Sequence, residues 1–214
     1  KVFKILKSNK FYRYVSPSII KFNNQYLIFF QTYSRITKKY FISTAVSKNL
    51  THWKIKNKKF LFDKKINYYS PFALKKSNKV FLYYSSGKKN LREIKLSIFN
   101  NNLKLLKDEK NITKNNKLID YAPSIIIKYN QWIMLFSRWS KNLKKSKILF
   151  CYSIDGIKWS VPKTINLKIF NKSDNITHFS EPCIFSKNNK IVLYFEECIQ
   201  TRNNKKWQIS YLIQ

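Results

Sequence analysis

A proline with an aromatic residue just ahead of it and an apolar run behind it recurs four times in this chain. The copies are Tyr14-Val15-Ser16-Pro17, Tyr68-Tyr69-Ser70-Pro71, Asp120-Tyr121-Ala122-Pro123 and Phe179-Ser180-Glu181-Pro182. Successive prolines are 54, 52 and 59 residues apart. A serine follows each one at 30, 26, 30 and 28 residues, at Ser47, Ser97, Ser153 and Ser210. Six places after the first three serines stands a large apolar residue: Trp53, Leu103 and Trp159. Three markers in step define an internal repeat, and a period near 50 residues confines the chain to an array of similar units.

Each unit reads as strand, turn, strand, loop, strand, turn, strand. In the first, Ser18–Phe22, Gln25–Tyr33, Tyr40–Ser47 and a Lys-rich Trp53–Phe62 are the expected strands, with Asn23-Asn24 as a turn. The second repeats this at Phe72–Lys75, Val80–Ser85, Glu93–Phe99 and Leu103–Leu106. In the third, Ile125–Lys128, Trp132–Ser137, Ile148–Ser153 and Trp159–Ile165 correspond, with Asp155-Gly156 turning the outer hairpin. The fourth supplies three strands, Cys183–Phe185, Ile191–Glu196 and Trp207–Leu212. Aromatic and β-branched residues favour strands, and no stretch keeps a helical period. The expectation is a single all-β domain over residues 1–214, a β-propeller of four-stranded antiparallel blades. Its repeat units span about 11–62, 67–112, 119–165 and 177–214, with residues 1–10 as an orphan outer strand. Val2–Leu6 fits either a strand that closes the ring with the fourth unit or the remnant of an earlier blade. A β-sandwich would explain the strands without explaining the repeated markers.

The formal charge is +33, from 43 Lys and Arg against 10 Asp and Glu. A surface so basic attracts polyanions in a salt-sensitive way. Arginine, the residue suited to reading phosphates and bases, is confined to positions 13, 35, 92, 138 and 202. The lysines are spread along the whole chain, which indicates a solvated surface with nonspecific attraction instead of a dedicated nucleic-acid site. Cys151, Cys183 and Cys198 cannot all pair with one another and form no close Cys pair; with 2 His, that speaks against a zinc cage. Reduced thiols lean toward a cytoplasmic location. Apolar runs fall short of the roughly 20 residues that cross a bilayer, and nothing in the sequence calls for a cofactor or metal.

Ser153-Ile154-Asp155-Gly156-Ile157-Lys158-Trp159, echoed from Ser47 to Trp53, resembles the Ser-x-Asp-Gly-x-x-Trp hairpin of five-bladed glycosidase propellers. These are the arabinanase/β-xylosidase and invertase/levanase types of glycoside hydrolase. The resemblance extends over the chain and implies a relative with one blade missing or reduced. It also implies an Asp before the proline of the first inner strand and another acid in a later blade. Ser16, Ser70 and Ala122 occupy those places here, whereas Glu181-Pro182-Cys183 is similar to the Glu-Cys of the invertase type.

Topology places the functional groups. An inner strand that starts at its proline, paired with an antiparallel second strand, brings residues some 14 to 18 positions later to the same rim. Asp120, Glu181, Glu196 and Glu197 all fall there, a large share of the 10 carboxylates in the chain. Glycosidic cleavage needs a proton donor and a second carboxylate. Glu181 is the candidate general acid, with Glu196 and Asp120 as companion carboxylates. Strand alternation leaves one of Glu196 and Glu197 facing the site, and Glu196 is preferred. Arg13, Arg138 and His178 are candidates for binding sugar hydroxyls or an anionic sugar, and Tyr33 and Trp139 for an apolar platform. The expected ligand is an oligosaccharide or polysaccharide. Hydrolysis, glycan binding without turnover, and polyanion binding are the three functional readings.

Overall fold

The computed structural model describes residues 10–88, 91–113, 118–142, 144–167, 176–200 and 204–213. Val2–Leu6, the expected orphan strand, lies outside them. The chain divides into two compact units, Lys1–Lys89 with Ile94–Asn111 and Asn90–Glu93 with Ile112–Gln214. Among the described residues no helix is long and apolar enough to cross a membrane.

In the first unit, β1 (Tyr12–Phe22), β2 (Gln25–Ser34), β3 (Lys39–Ser47) and β4 (Lys54–Leu61) form an antiparallel sheet in that order. β5 (Asn67–Lys76), β6 (Lys79–Lys88), β7 (Leu91–Asn100) and β8 (Leu105–Asn111) follow in the same up-and-down order. β2 is apolar on both faces, as a strand inside stacked sheets must be. Leu27 and Phe29 point into a core shared with Tyr68, Val80, Leu82 and Phe99, while Ile28 and Phe30 pack on the other side with Ala45, Tyr14 and Trp53. Each such large side chain stabilises the unit by about 1.5–3 kcal/mol.

The second unit repeats the design with β9 (Ile119–Lys128), β10 (Gln131–Ser140), β11 (Lys145–Ser153) and the two-residue β12 (Lys163–Thr164). β13 (Ile176–Lys187), β14 (Lys190–Gln200) and β15 (Lys205–Ile213) form the last group, and β13 touches β11 in parallel at Ser146 and His178. Ile126, Leu135 and Ile148 meet Phe179, Ile184, Leu193 and Phe195 in the core between the two groups.

The inner strands are longer than expected because they run through their prolines instead of starting there. The outer strand expected over Trp159–Ile165 is shorter, for a reason visible in the hairpin before it. Ser153 Oγ accepts the N–H groups of Asp155 and Gly156 at 3.2 and 2.8 Å. Asp155 Oδ1 accepts those of Ile157 and Lys158 at 2.7 and 2.8 Å. The indole of Trp159 donates to the Gly156 carbonyl at 3.2 Å, folding the chain over its own turn and delaying the strand to Lys163. In the first unit Asn49 takes the place of Asp155, and Trp53 donates to the Leu50 carbonyl at 2.9 Å. Leu50 has φ 65°, close to the 73° of Gly156, so one backbone form survives without its glycine.

Candidate active site

Every inner strand crosses its proline in the same way. The preceding residue lies in the left-handed region: Ser16 at φ 51°, Ser70 at 44°, Ala122 at 51° and Glu181 at 49°. Strand pairing slips by a bulge at each of these points. Left-handed backbone costs a non-glycine residue roughly 1–2 kcal/mol, so something must hold it. In the second unit the Glu181 N–H donates to Ser137 Oγ at 2.9 Å, and the Ile184 N–H to Ser124 Oγ at 3.0 Å. In the first, the Ser70 N–H donates to Gln31 Oε1 at 2.9 Å, and the Ala73 N–H to Ser18 Oγ at 2.8 Å. Ser137 and Gln31 each stand fourteen residues after the proline of their own repeat, Pro123 and Pro17. The bulge turns the residue before proline out of the ladder. At Glu181 alone that residue carries a carboxylate.

Glu181 is open to solvent at its surface yet closely surrounded by protein. Burial, and after it the charge of Glu196, raises its pKa from 4.5 to about 7. Glu196 is half-buried, and its Oε2 accepts a bond from Ser180 Oγ at 3.4 Å. It lies fourteen residues after Pro182, the place that Ser137 and Gln31 hold in their repeats. Glu197 points the other way along β14. It is buried and accepts hydrogen bonds from Gln208 and from Ser210 Oγ, the latter at 2.7 Å. Tyr121 completes this cluster: its pKa is raised by burial and then by the charge of Glu181, while the nearby hydroxyls of Ser146, Ser180 and Ser137 act in the opposite direction.

Asp120 has a different setting from an open rim base. Its side chain is wholly enclosed, and both oxygens accept from Arg138, Oδ1 from Nε at 2.7 Å and Oδ2 from Nη2 at 2.8 Å. The pairing follows from register, since Arg138 stands opposite Asp120 on neighbouring strands. His178 is buried between two indoles, its ring 5.1 Å from that of Trp139 and 5.8 Å from that of Trp207. Its Nδ1 accepts the Ser146 N–H at 3.2 Å, which requires the proton on Nε2 in the neutral ring. Burial, then Lys205 and Lys145, lower its pKa below 6.5. Trp207 is 54% exposed, so the stack ends at solvent.

The second unit thus holds three groups: Glu181 with Glu196, Asp120 with Arg138, and His178 between Trp139 and Trp207. Arg13 and Tyr33 belong to the first unit, where they face each other across β1 and β2. Arg13 is exposed; Tyr33 lies against Tyr40, and Tyr40 against Tyr69, with rings 4.6 and 4.8 Å apart. Among the described residues no group of three His, Cys, Asp or Glu side chains could hold a metal ion. Sequence reasoning missed Ser137, Tyr121 and Trp207. The constant offset from proline was a signal for Ser137, and the aromatic of the repeat was one for Tyr121; Trp207 had none.

Residues 17–211 match the family model described as Glycosyl hydrolases family 32 N-terminal domain. No curated protein matches the chain in sequence. Among solved structures, the sucrose-6-phosphate hydrolase from Lactobacillus gasseri superposes with a TM-score of 0.71 at 17% identity, over 94% of this chain and 44% of its own. The Bombyx mori GH32 β-fructofuranosidase gives 0.71 at 16% identity, over 94% and 46%. An exo-1,5-α-L-arabinanase from a bovine ruminal metagenomic library gives 0.69 at 13%, over 95% and 79%. This chain therefore spans less than half the length of the first two of these neighbours. At these identities the likeness establishes the fold, an all-β propeller of the kind found in five-bladed glycoside hydrolases.

Proposed function

We propose that this chain, which belongs to the glycosyl hydrolase family 32 N-terminal domain family, binds a glycan beside Glu181 and cleaves a glycosidic bond with Glu181 as general acid. Membership of a glycoside hydrolase family supports a carbohydrate-active, glycosidase-like function. The observation that carries the finer reading is the state of Glu181. It alone brings a carboxyl group to a bulged residue before proline, and its pKa of about 7 keeps it a proton donor near neutrality. A carboxyl group that stays protonated beside a second carboxylate is the arrangement that acid catalysis at a sugar requires.

In this reading the protonated Glu181 gives its proton to the leaving glycosidic oxygen as the C–O bond breaks. Positive charge grows on the sugar ring as that bond breaks; the Glu196 carboxylate stabilises it and accepts the proton that water loses as its oxygen bonds to the anomeric carbon, and exchange with solvent then returns the proton from Glu196 and reprotonates Glu181. Tyr121 and Ser180 orient the pair. Asp120, with both oxygens occupied by Arg138 on the other face of β10, takes no part in the step. The Trp139–His178–Trp207 stack offers an indole face to a sugar ring.

Glycan binding without turnover is the second reading. Ser16, Ser70 and Ala122 favour it, since the same backbone form presents no acid at three of four repeats. One experiment separates the two: incubation with sucrose, its 6-phosphate, fructans, arabinans and aryl glycosides, comparing wild type with Glu181→Gln. Turnover by wild type that falls by about 10²–10⁴-fold in the variant supports the acid. Saturable binding by both proteins with no product from either leaves only the binding reading.

A further inference from the structure

The pairing of β10 with β11 sets Arg138 opposite Lys147 and Ser140 opposite Lys145. Residues two apart on a strand share a face, so these four side chains project together. With Thr164 of β12 they line a cavity of about 250 Å³, completed by Leu118 and Leu149. Ser137, next to Arg138 on β10, points to the opposite face and bonds to Glu181 there. The cavity is therefore a separate place from the carboxylate cluster.

Exposed lysines are common in a chain of net charge +33, and by themselves they mark nothing. Four features set this recess apart. It is concave, and no carboxylate is among its described lining residues. Its arginine is immobilised: of five N–H donors, two are held by Asp120 at 2.7 and 2.8 Å, which fixes the plane of the remaining three. Arg138 has Asp120 opposite it on β9 and Lys147 opposite it on β11, so once the ion pair is counted Lys145 and Lys147 leave the recess net positive. Finally, the field of Lys145 reaches His178 on the neighbouring strand, where with Lys205 it adds to burial in disfavouring a proton. The hydroxyls of Ser140 and Thr164 add neutral donors beside the three cations.

We infer that this recess binds a tetrahedral oxyanion, either the free phosphate or sulfate ion or the phosphoryl or sulfo group of a sugar. A rigid guanidinium fork with two ammonium groups and two hydroxyls matches the several acceptor oxygens of such a group. The inference stands on β10, β11 and β12 and does not require Glu181 to be catalytic.

Titration of the ¹⁵N-labelled full chain with inorganic phosphate in about 0.15 M salt tests it, because screening at that ionic strength suppresses diffuse attraction. The expected result is saturable shifts at Ser140, Lys145, Lys147 and Thr164. In Lys145→Ala/Lys147→Ala these shifts should need at least about tenfold more phosphate, as the loss of two charge-assisted bonds implies. Lys54→Ala/Lys56→Ala, two exposed positions on β4, should behave as wild type. The same titration with sulfate and with a hexose 6-phosphate tells free ion from sugar-borne group: tighter binding of the hexose phosphate assigns the latter. Shifts that grow linearly and spread over lysines everywhere, or an unchanged midpoint in the Lys145/Lys147 variant, would overturn the site. All four substituted lysines are exposed, so the variants keep the fold that the comparison needs.

Discussion

Ser137 Oγ holds the backbone N–H of Glu181 at 2.9 Å, across 44 residues of sequence. The bond satisfies the amide at the point where β13 leaves its ladder, and it aims the only carboxylate found at such a bulge. Ser137→Ala should destabilise the fold by about 1 kcal/mol, the net worth of one hydrogen bond. It should lower turnover by more than that loss explains, because the carboxyl group loses its aim. Ser137→Thr keeps the acceptor and should recover most of the activity. Denaturant titration beside initial rates measures both effects.

Removing Asp120 should cost more. Its carboxylate is fully buried, and Asp120→Ala leaves the Arg138 guanidinium, mostly enclosed, without its counterion. Breaking a buried pair from one side costs about 3–5 kcal/mol. A clear drop in the denaturation midpoint is expected, and a neutral result would contradict the structural role assigned to this pair.

The three thiols should separate cleanly. Cys183 is exposed, whereas Cys151 and Cys198 are buried. Burial, and then the charge of Asp120, pushes the Cys151 thiol up to about 12 despite the opposing Arg138. A thiol reagent at pH 8 should modify one cysteine in the folded protein and all three after denaturation, since the thiolate is the reactive form. Cys183 lies two residues from Glu181, so a bound glycan should slow its labelling.

His178 gives a pH dependence of known sign. Its folded pKa lies below 6.5, so in acid the unfolded chain takes up a proton that the folded chain resists. Its contribution to stability is complete above about pH 6.5 and is lost as pH falls through the folded value. Imidazole NMR should show the Nε2-protonated neutral form at pH 7 and a midpoint below 6.5. Lys145→Ala with Lys205→Ala should move that midpoint up.

Much of this was written along the chain, and what was not has a physical reason. The spacing of Pro17, Pro71, Pro123 and Pro182 exposed the repeat, because each inner strand carries the same bulge at the same place. Ser153, Asp155 and Trp159 marked a hairpin through bonds that are local, each spanning no more than three residues. Left-handed backbone at Ala122 and Glu181 left no local signal; neither residue favours it, and in Glu181 the support comes from a distant strand. The burial of Asp120 was hidden for the same reason, as it depends on Arg138 arriving in register 18 residues later. Trp207 meets His178 only once β13, β14 and β15 are assembled. Local chemistry was legible, and chemistry made by register was not.

The carboxyl group of Glu181 offers the most direct test. With ¹³C-labelled glutamate, its titration should show a midpoint near 7, against the 4.5 of an ordinary glutamate. The folded chain would then keep a proton that the unfolded chain releases, and stability owed to this group would decline as pH rises from about 4.5 to about 7. Glu196→Gln removes the neighbouring charge and should lower the midpoint, though not to 4.5, because burial is the larger cause. A midpoint already at the ordinary value in the wild-type chain would mean that Glu181 is ionised at neutral pH, and it would contradict its role as proton donor.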